Sequence, residues 1–144
     1  MTLSTYIKKL KSFEGCRLKA YKDIANVVTI GYGFTKSVIP DLTIESTMTQ
    51  EEADKQLKKI VKKHIDVVVK ECKKHNLMFT CNQIIALTDF CYNCGFGALQ
   101  NIMKYQSHDE IVQHLILYNK ATINGVAGYV VTSKNNGNSI FLPF

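Results

Sequence analysis

The chain has 144 residues, 46% of them hydrophobic, enough to bury one core and to set the expectation of a single domain. Its formal charge of +6 is confined to the first 74 residues, which carry 15 basic against 9 acidic groups, but a set of 17 Lys with Arg17 alone lacks the guanidinium forks of a nucleic-acid reader. Aliphatic runs such as Val67-Val68-Val69 are too short to span a bilayer, the N-terminus MTLSTYIKKLKSFEG lacks the apolar stretch of a secretory signal, and five cysteines in such a chain read as reduced thiols.

Leu3, Tyr6, Ile7, Leu10 and Phe13 recur at spacings of three and four, which predicts an amphipathic helix over 3–13 that Gly15 stops. Glu14 then falls at the C-terminal end of that helix, where a carboxylate meets the negative pole of the helix dipole. From Leu18 the pattern alternates, Asp23-Ile24-Ala25-Asn26 is turn-forming, and residues 27–34 are β-branched and aromatic. This predicts a hairpin with Asn26 as its left-handed residue, and with Gly31 and Gly33 marking a bulge or a close backbone approach. Residues 35–48, with Pro40, read as loop or a weak third strand. Thr49-Gln50-Glu51-Glu52 is a capping box opening a helix of about twenty residues, with Ala53, Leu57, Ile60, Val61, His64, Ile65 and Val68 on one stripe. Such a helix is long enough to bridge two lobes. Helices follow over 82–94, 98–104 and 111–120, the last opened by a second capping box, Ser107-His108-Asp109-Glu110. The Gly- and Asn-rich tail from Ala121 carries no clear period.

In FEGCRLKAYKDIANVVTIGYG, residues 13–33, Glu14 ends a helix, Asp23 sits at the first turn of a hairpin and Thr29 lies on its return strand. Acids in a hairpin are ordinarily solubilising surface groups. Glycoside hydrolysis, however, needs one carboxylic acid to protonate the leaving oxygen and a second carboxylate across the sugar to activate water or attack the anomeric carbon. Glu14 is the candidate for the first role and Asp23 for the second.

These residues resemble the signature of the phage-type lysozymes, glycoside hydrolase family 24: E-G-x-R-L-x-A-Y-x-D followed by T-I-G-Y-G. The family's order of Glu, eight residues, Asp, five residues, Thr is met by Glu14, Asp23 and Thr29. Downstream, the stretch from Thr49 to Ala53 is similar to the start of the family's long interlobe helix. Gln83, Ala86, Leu87, Phe90, Tyr92 and Asn93, followed by Gly95, Gly97, Ala98 and Leu99, are similar to its central helix. The resemblance covers residues 5–130. It implies an α+β, lysozyme-like fold, mainly helical, with a small antiparallel β lobe (15–48), a helical lobe (1–14 and 49–144) and a long interlobe helix from Thr49. It implies a muramidase that cleaves the β-1,4 bond between N-acetylmuramic acid and N-acetylglucosamine, with Glu14 as general acid and Asp23 and Thr29 holding and activating the attacking water. Thr35, Tyr92 and Asn93 match positions that line the substrate groove in relatives. No cofactor and no metal are implied. The expected partner is the peptidoglycan glycan strand, met by a monomer with no nucleic acid and no stable membrane association. Made in the cytoplasm without a signal peptide, such an enzyme reaches the wall through a holin pore or by injection.

Two departures bear on the acid. Phe34 stands where most relatives have His after G-Y-G, and the stretch from Gly128 to Gly137 lacks the family arginine that can pair with the catalytic Glu. Lys134 in that stretch, or Arg17 three residues after Glu14, is the cation left to do so. A non-catalytic, lysozyme-like module that binds glycan or serves a structural role is therefore the alternative. Cys91-Tyr92-Asn93-Cys94 has C-x-x-C spacing but ends a helix rather than opening one, and Cys72, Cys81 and His75 offer no second tight pair for zinc. His64, His75, His108 and His114 have no ligand spacing.

Overall fold

In the computed structural model, which describes residues 2–118, 120–123, 126–132 and 139–143 and side chains through residue 115, the apolar repeat at the N-terminus winds into α1 (Leu3–Glu14). The alternation after it pairs β1 (Arg17–Lys22) with β2 (Val28–Gly31). Then come α2 (Gln50–Lys74), α3 (Cys81–Cys94), α4 (Phe96–Met103), α5 (His108–Tyr118), β3 (Lys120–Ile123), β4 (Val126–Thr132) and β5 (Ser139–Pro143), an α+β chain. It divides into two compact units, one over Ser4–Ile60 and the other principally over Val61–Val131. Among the described residues no helix is long and apolar enough to cross a membrane.

In the first unit β1 and β2 run antiparallel with Tyr21 opposite Thr29 and Lys22 opposite Val28; the register shifts between Tyr21 and Arg17, which stands opposite Gly31. The bulge therefore lies in β1 rather than at the glycines of β2. Lys19 bridges Thr47, the Met48 N–H donates to the Leu18 carbonyl and the Ala20 N–H to that of Ser46, so residues 35–48 are loop with one isolated bridge to β1 just before α2, not a third strand. The second strand was expected to run to Phe34 and instead ends at Gly31. Ile30 and Phe34 exchange both backbone hydrogen bonds, at 2.9 and 2.8 Å, and close a reversal through Gly31 (φ 64°) and Gly33 (φ 93°). That reversal drives the Phe34 ring inward, where it is 1% exposed and joins Ile30, Leu42, Ala53 and Leu57 in the core. Burial of each large apolar side chain contributes about 1.5–3 kcal/mol.

The second unit is built on helix caps. The hydroxyl of Thr80 accepts from the Gln83 N–H while the Gln83 side chain accepts from the Thr80 N–H, starting α3; at the start of α5 the Ser107 hydroxyl accepts from the Glu110 N–H and donates to the Glu110 carboxylate. These helices close on the far part of α2, with Val68, Cys72, Leu87, Cys91, Leu99, Ile102, Met103 and Ile111 forming one buried cluster. α5 ends at Tyr118, so Lys120, expected in the helix, opens β3 instead. The tail supplies a three-stranded sheet in the order β3-β4-β5, with Lys120 opposite Tyr129 and Ile123 opposite Val126. Thr122, Ile123, Val126, Val130 and Val131 explain the strands, since β-branched residues favour extended backbone.

A Cβ on Gly31 would stand 2.7 Å from the Phe34 ring and 3.0 Å from the Met48 sulfur, at a φ that L side chains resist. Gly31→Ala is expected to destabilise the protein by about 2–4 kcal/mol, combining backbone strain with overpacking. An unchanged urea midpoint would contradict this packing.

Candidate active site

α1 delivers Glu14 at its last turn. The chain leaves the helix at once because Gly15 takes a left-handed φ of 67° and its N–H closes the turn on the Lys11 carbonyl at 3.1 Å. Glu14 is 5% exposed. A carboxyl group that is both buried and set at a helix C-terminus works against desolvation and dipole alike, a combination found where chemistry requires it.

Asp23 organises the hairpin turn. Its Oδ1 accepts from the N–H groups of Ala25 and Val27, both at 2.9 Å, its own N–H donates to the Val27 carbonyl at 3.0 Å, and Asn26 follows at φ 61°. Both of these side-chain bonds fall on Oδ1, so the turn fixes the carboxylate plane without using Oδ2. Thr29, 2% exposed, donates its hydroxyl proton to the Val27 carbonyl at 3.0 Å, which leaves the oxygen to act as an acceptor.

The residue that links the three is Tyr21. It stands directly across the ladder from Thr29, so the two share a face, and the Arg17 guanidinium lies over its ring at 4.3 Å. Burial pushes the Tyr21 phenol above its ordinary value; Arg17 opposes that, and the charges of Asp23 and Glu14 add to it. The charges of Glu14, Asp23 and Arg17 are thus all felt at one phenol, which pairs across the ladder with Thr29, and all five residues belong to one unit of the fold. Sequence reading singled out the acids, the threonine and Arg17 but gave Tyr21 no role, although it is the tyrosine of the E-G-x-R-L-x-A-Y-x-D signature and an aromatic at an alternating position of β1.

The remaining expected site residues behave differently. Thr35 opens the turn after the reversal, its hydroxyl 2.9 Å from that of Ser37 and its carbonyl accepting from Val38 and Ile39. Tyr92 and Asn93 belong to the second unit, at the last turn of α3; Tyr92 packs on His64 with ring centroids 5.4 Å apart, and the Asn93 amide donates to the Asp89 carbonyl at 2.9 Å. Lys134 lies outside the described residues. Cys91 and Cys94 end α3, and burial first, then Cys94, pushes the Cys91 thiol up. Among the described residues no group of three or more His, Cys, Asp and Glu side chains is placed to hold a metal ion.

A polar cluster ties the end of α1 to the start of α2. The Lys11 ammonium reaches Asp54 Oδ2 at 2.5 Å, the Tyr32 hydroxyl donates to Asp54 Oδ1 at 2.7 Å, and the Gln50 amide donates to both Tyr32 and Asp54. Lys11, then Tyr32, hold the Asp54 carboxyl down at about 2. Burial, then the hydrogen bond to Asp54, push the Tyr32 phenol far above its ordinary value, so it remains a donor.

Residues 11–133 match the phage lysozyme family, and the chain belongs to it. It is 38% identical over 97 residues to an endolysin of Bacillus phage PZA, covering 66% of this chain and 35% of that protein. It is 39% identical over 90 residues to an endolysin of Lactococcus phage c2, covering 60% and 36% respectively. The chain thus matches about a third of the length of those relatives. Among solved structures, an endolysin from Escherichia coli phage FAHEc1 superposes with a TM-score of 0.67 at 30% identity, over 90% of this chain and 84% of that one. The muramidase domain of SpmX from Asticaccaulis excentricus gives 0.64 at 26% identity, over 87% and 84%. The fold is lysozyme-like.

Because Asp54 is depressed below its unfolded value, its contribution to stability is present above about pH 4 and is lost as pH falls from there toward 2. Asp54→Asn is expected to lose about 1 kcal/mol at pH 7, the measure of a partly exposed charged hydrogen bond, and to flatten that acid limb. Urea midpoints at pH 3, 5 and 7 check it; an acid limb as steep as that of the wild type would assign the loss to other carboxylates.

Proposed function

We propose that the chain is a muramidase of the family 24 type, hydrolysing the β-1,4 bond between N-acetylmuramic acid and N-acetylglucosamine in peptidoglycan. The observation that carries this reading is the buried Glu14 at the end of α1, followed by a hairpin in which Asp23 is held through Oδ1 alone and Thr29, buried on the return strand, keeps its oxygen as an acceptor. The relatives called endolysins and the structural neighbour described as a muramidase domain support it.

Glu14, in the dry end of α1, gives its proton to the glycosidic oxygen as the bond breaks. The attacking water hydrogen-bonds through one O–H to Thr29 Oγ1, whose own proton is held by Val27, and through the other to Asp23 Oδ2. A water so held turns a lone pair toward the anomeric carbon, and Asp23 accepts its proton as the bond forms. Thr35 in the first unit, and Tyr92 and Asn93 in the second, are each candidates to contact sugar. The chain acts as a monomer, without a cofactor, and reaches the wall through a holin pore or by injection.

The test compares wild type, Glu14→Gln and Asp23→Asn on purified peptidoglycan, with reducing ends identified by mass spectrometry. The wild type is expected to release fragments ending in reducing N-acetylmuramic acid, and Glu14→Gln to lose about 10²–10⁴ in rate while remaining folded. Asp23→Asn retains an Oδ1 able to accept from Ala25 and Val27, so its stability should match the wild type while its activity falls; Asp23→Ala should lose both. A folded wild type that binds the wall and releases nothing would establish the non-catalytic alternative.

A further inference from the structure

α2 divides its circumference between core and charge. At the 100° per residue of a helix, Ala53, Leu57, Val61, Val68 and Cys72, all buried, fall within an arc of about 100°. Opposite them Lys55, Lys58, Lys59, Lys62 and Lys63 are all exposed. Lys70, Lys73 and Lys74 extend the row, so that the lysines occupy an arc of about 160° along about 28 Å of helix. Asp66 is the one acid within that stretch of the arc, and among the described residues the only ion pair these lysines make is Lys74 with Glu71, at 3.2 Å. Like charges three and four residues apart destabilise a helix, so the face works against α2 until a polyanion neutralises it.

We propose that this lysine face binds the phosphodiester backbone of an anionic cell-wall polymer of teichoic-acid chemistry, which tethers the chain beside the glycan it cuts. The proposal rests on the wall-hydrolase reading for its choice of polyanion. Duplex or single-stranded nucleic acid fits less well: α2 carries no Arg and no Phe, Tyr or Trp, which denies it both guanidinium forks and stacking platforms. An anionic bilayer fits less well because the apolar side of α2 is committed to the core, leaving nothing to insert between headgroups. Compact ammonium charges on flexible stems suit a hydrated polymer that presents phosphates in no fixed geometry.

Binding is measured by co-sedimentation in a Glu14→Gln background, so that no wall is consumed, on Gram-positive walls before and after hydrofluoric-acid removal of teichoic acid. The parent is compared with the combined Lys58→Gln, Lys59→Gln, Lys62→Gln and Lys63→Gln variant and with the matching four Lys→Arg changes. Purified polyglycerol phosphate, duplex DNA and phosphatidylglycerol vesicles serve as competitors. The parent and the Arg variant are expected to bind intact walls at least about tenfold more tightly than stripped walls, and to be displaced best by polyglycerol phosphate. The Gln variant should lose that difference, with a log–log salt slope smaller by about 2–4. With Glu14 restored, it should cleave stripped walls at the wild-type rate. Equal binding to the two walls, binding unaffected by the Gln changes, or displacement best by DNA or by vesicles would each overturn the proposal. Failure of the wild type to cut stripped walls would overturn the hydrolase reading alone, since the binding comparison does not depend on turnover.

Discussion

Lys11 sits one turn before Glu14, and its ammonium is gripped by Asp54 of α2, whose other carboxylate oxygen takes the Tyr32 hydroxyl from the reversal that follows β2. Gln50, at the first position of α2, donates to both partners. Three segments distant in sequence are thereby locked to one carboxylate. The end of α1 cannot slide or rotate against the hairpin without breaking a charge-assisted bond. A buried acid at a helix C-terminus needs such a clamp, because its own electrostatics favour moving out to water.

The hairpin is economical in a related way. Asp23 spends one oxygen on the turn and keeps the other, and Thr29 spends its proton on the Val27 carbonyl and keeps its lone pairs. Each polar group thus serves structure with one half and presents the other half in a fixed direction, which is what preorganisation for a reacting water requires. Phe34, where the resemblance led one to expect histidine, is turned into the core by the Ile30–Phe34 closure, a place that suits an apolar ring. Arg17, stacked on Tyr21, sets a cation on the phenol that the charges of Asp23 and Glu14 also reach.

Much of this was legible because it is local. Glu14, Asp23 and Thr29 lie within sixteen consecutive residues, and helix end, turn and return strand are fixed by Gly15, Asp23 and Asn26, whose backbone preferences do not depend on distant partners. The capping boxes at Thr49 and Ser107 were legible for the same reason. Tyr21 was not, because its place beside Thr29 depends on a bulge between Arg17 and Tyr21 that alternation alone does not reveal. The Lys11–Asp54 pair spans 43 positions, a contact that only tertiary structure creates. The C-terminal strands escaped because Gly and Asn dilute their β-branched residues, and α5 was extended too far because helical periodicity does not announce its own end without a capping glycine.

The most direct measurement is a crystal structure of the Glu14→Gln protein with a tetrasaccharide of alternating N-acetylglucosamine and N-acetylmuramic acid. The scissile glycosidic oxygen is expected within about 3 Å of the residue-14 amide, and on the opposite face of the sugar a water bridging Asp23 Oδ2 and Thr29 Oγ1. A glycan bound away from the hairpin, or a water held by neither residue, would contradict this arrangement.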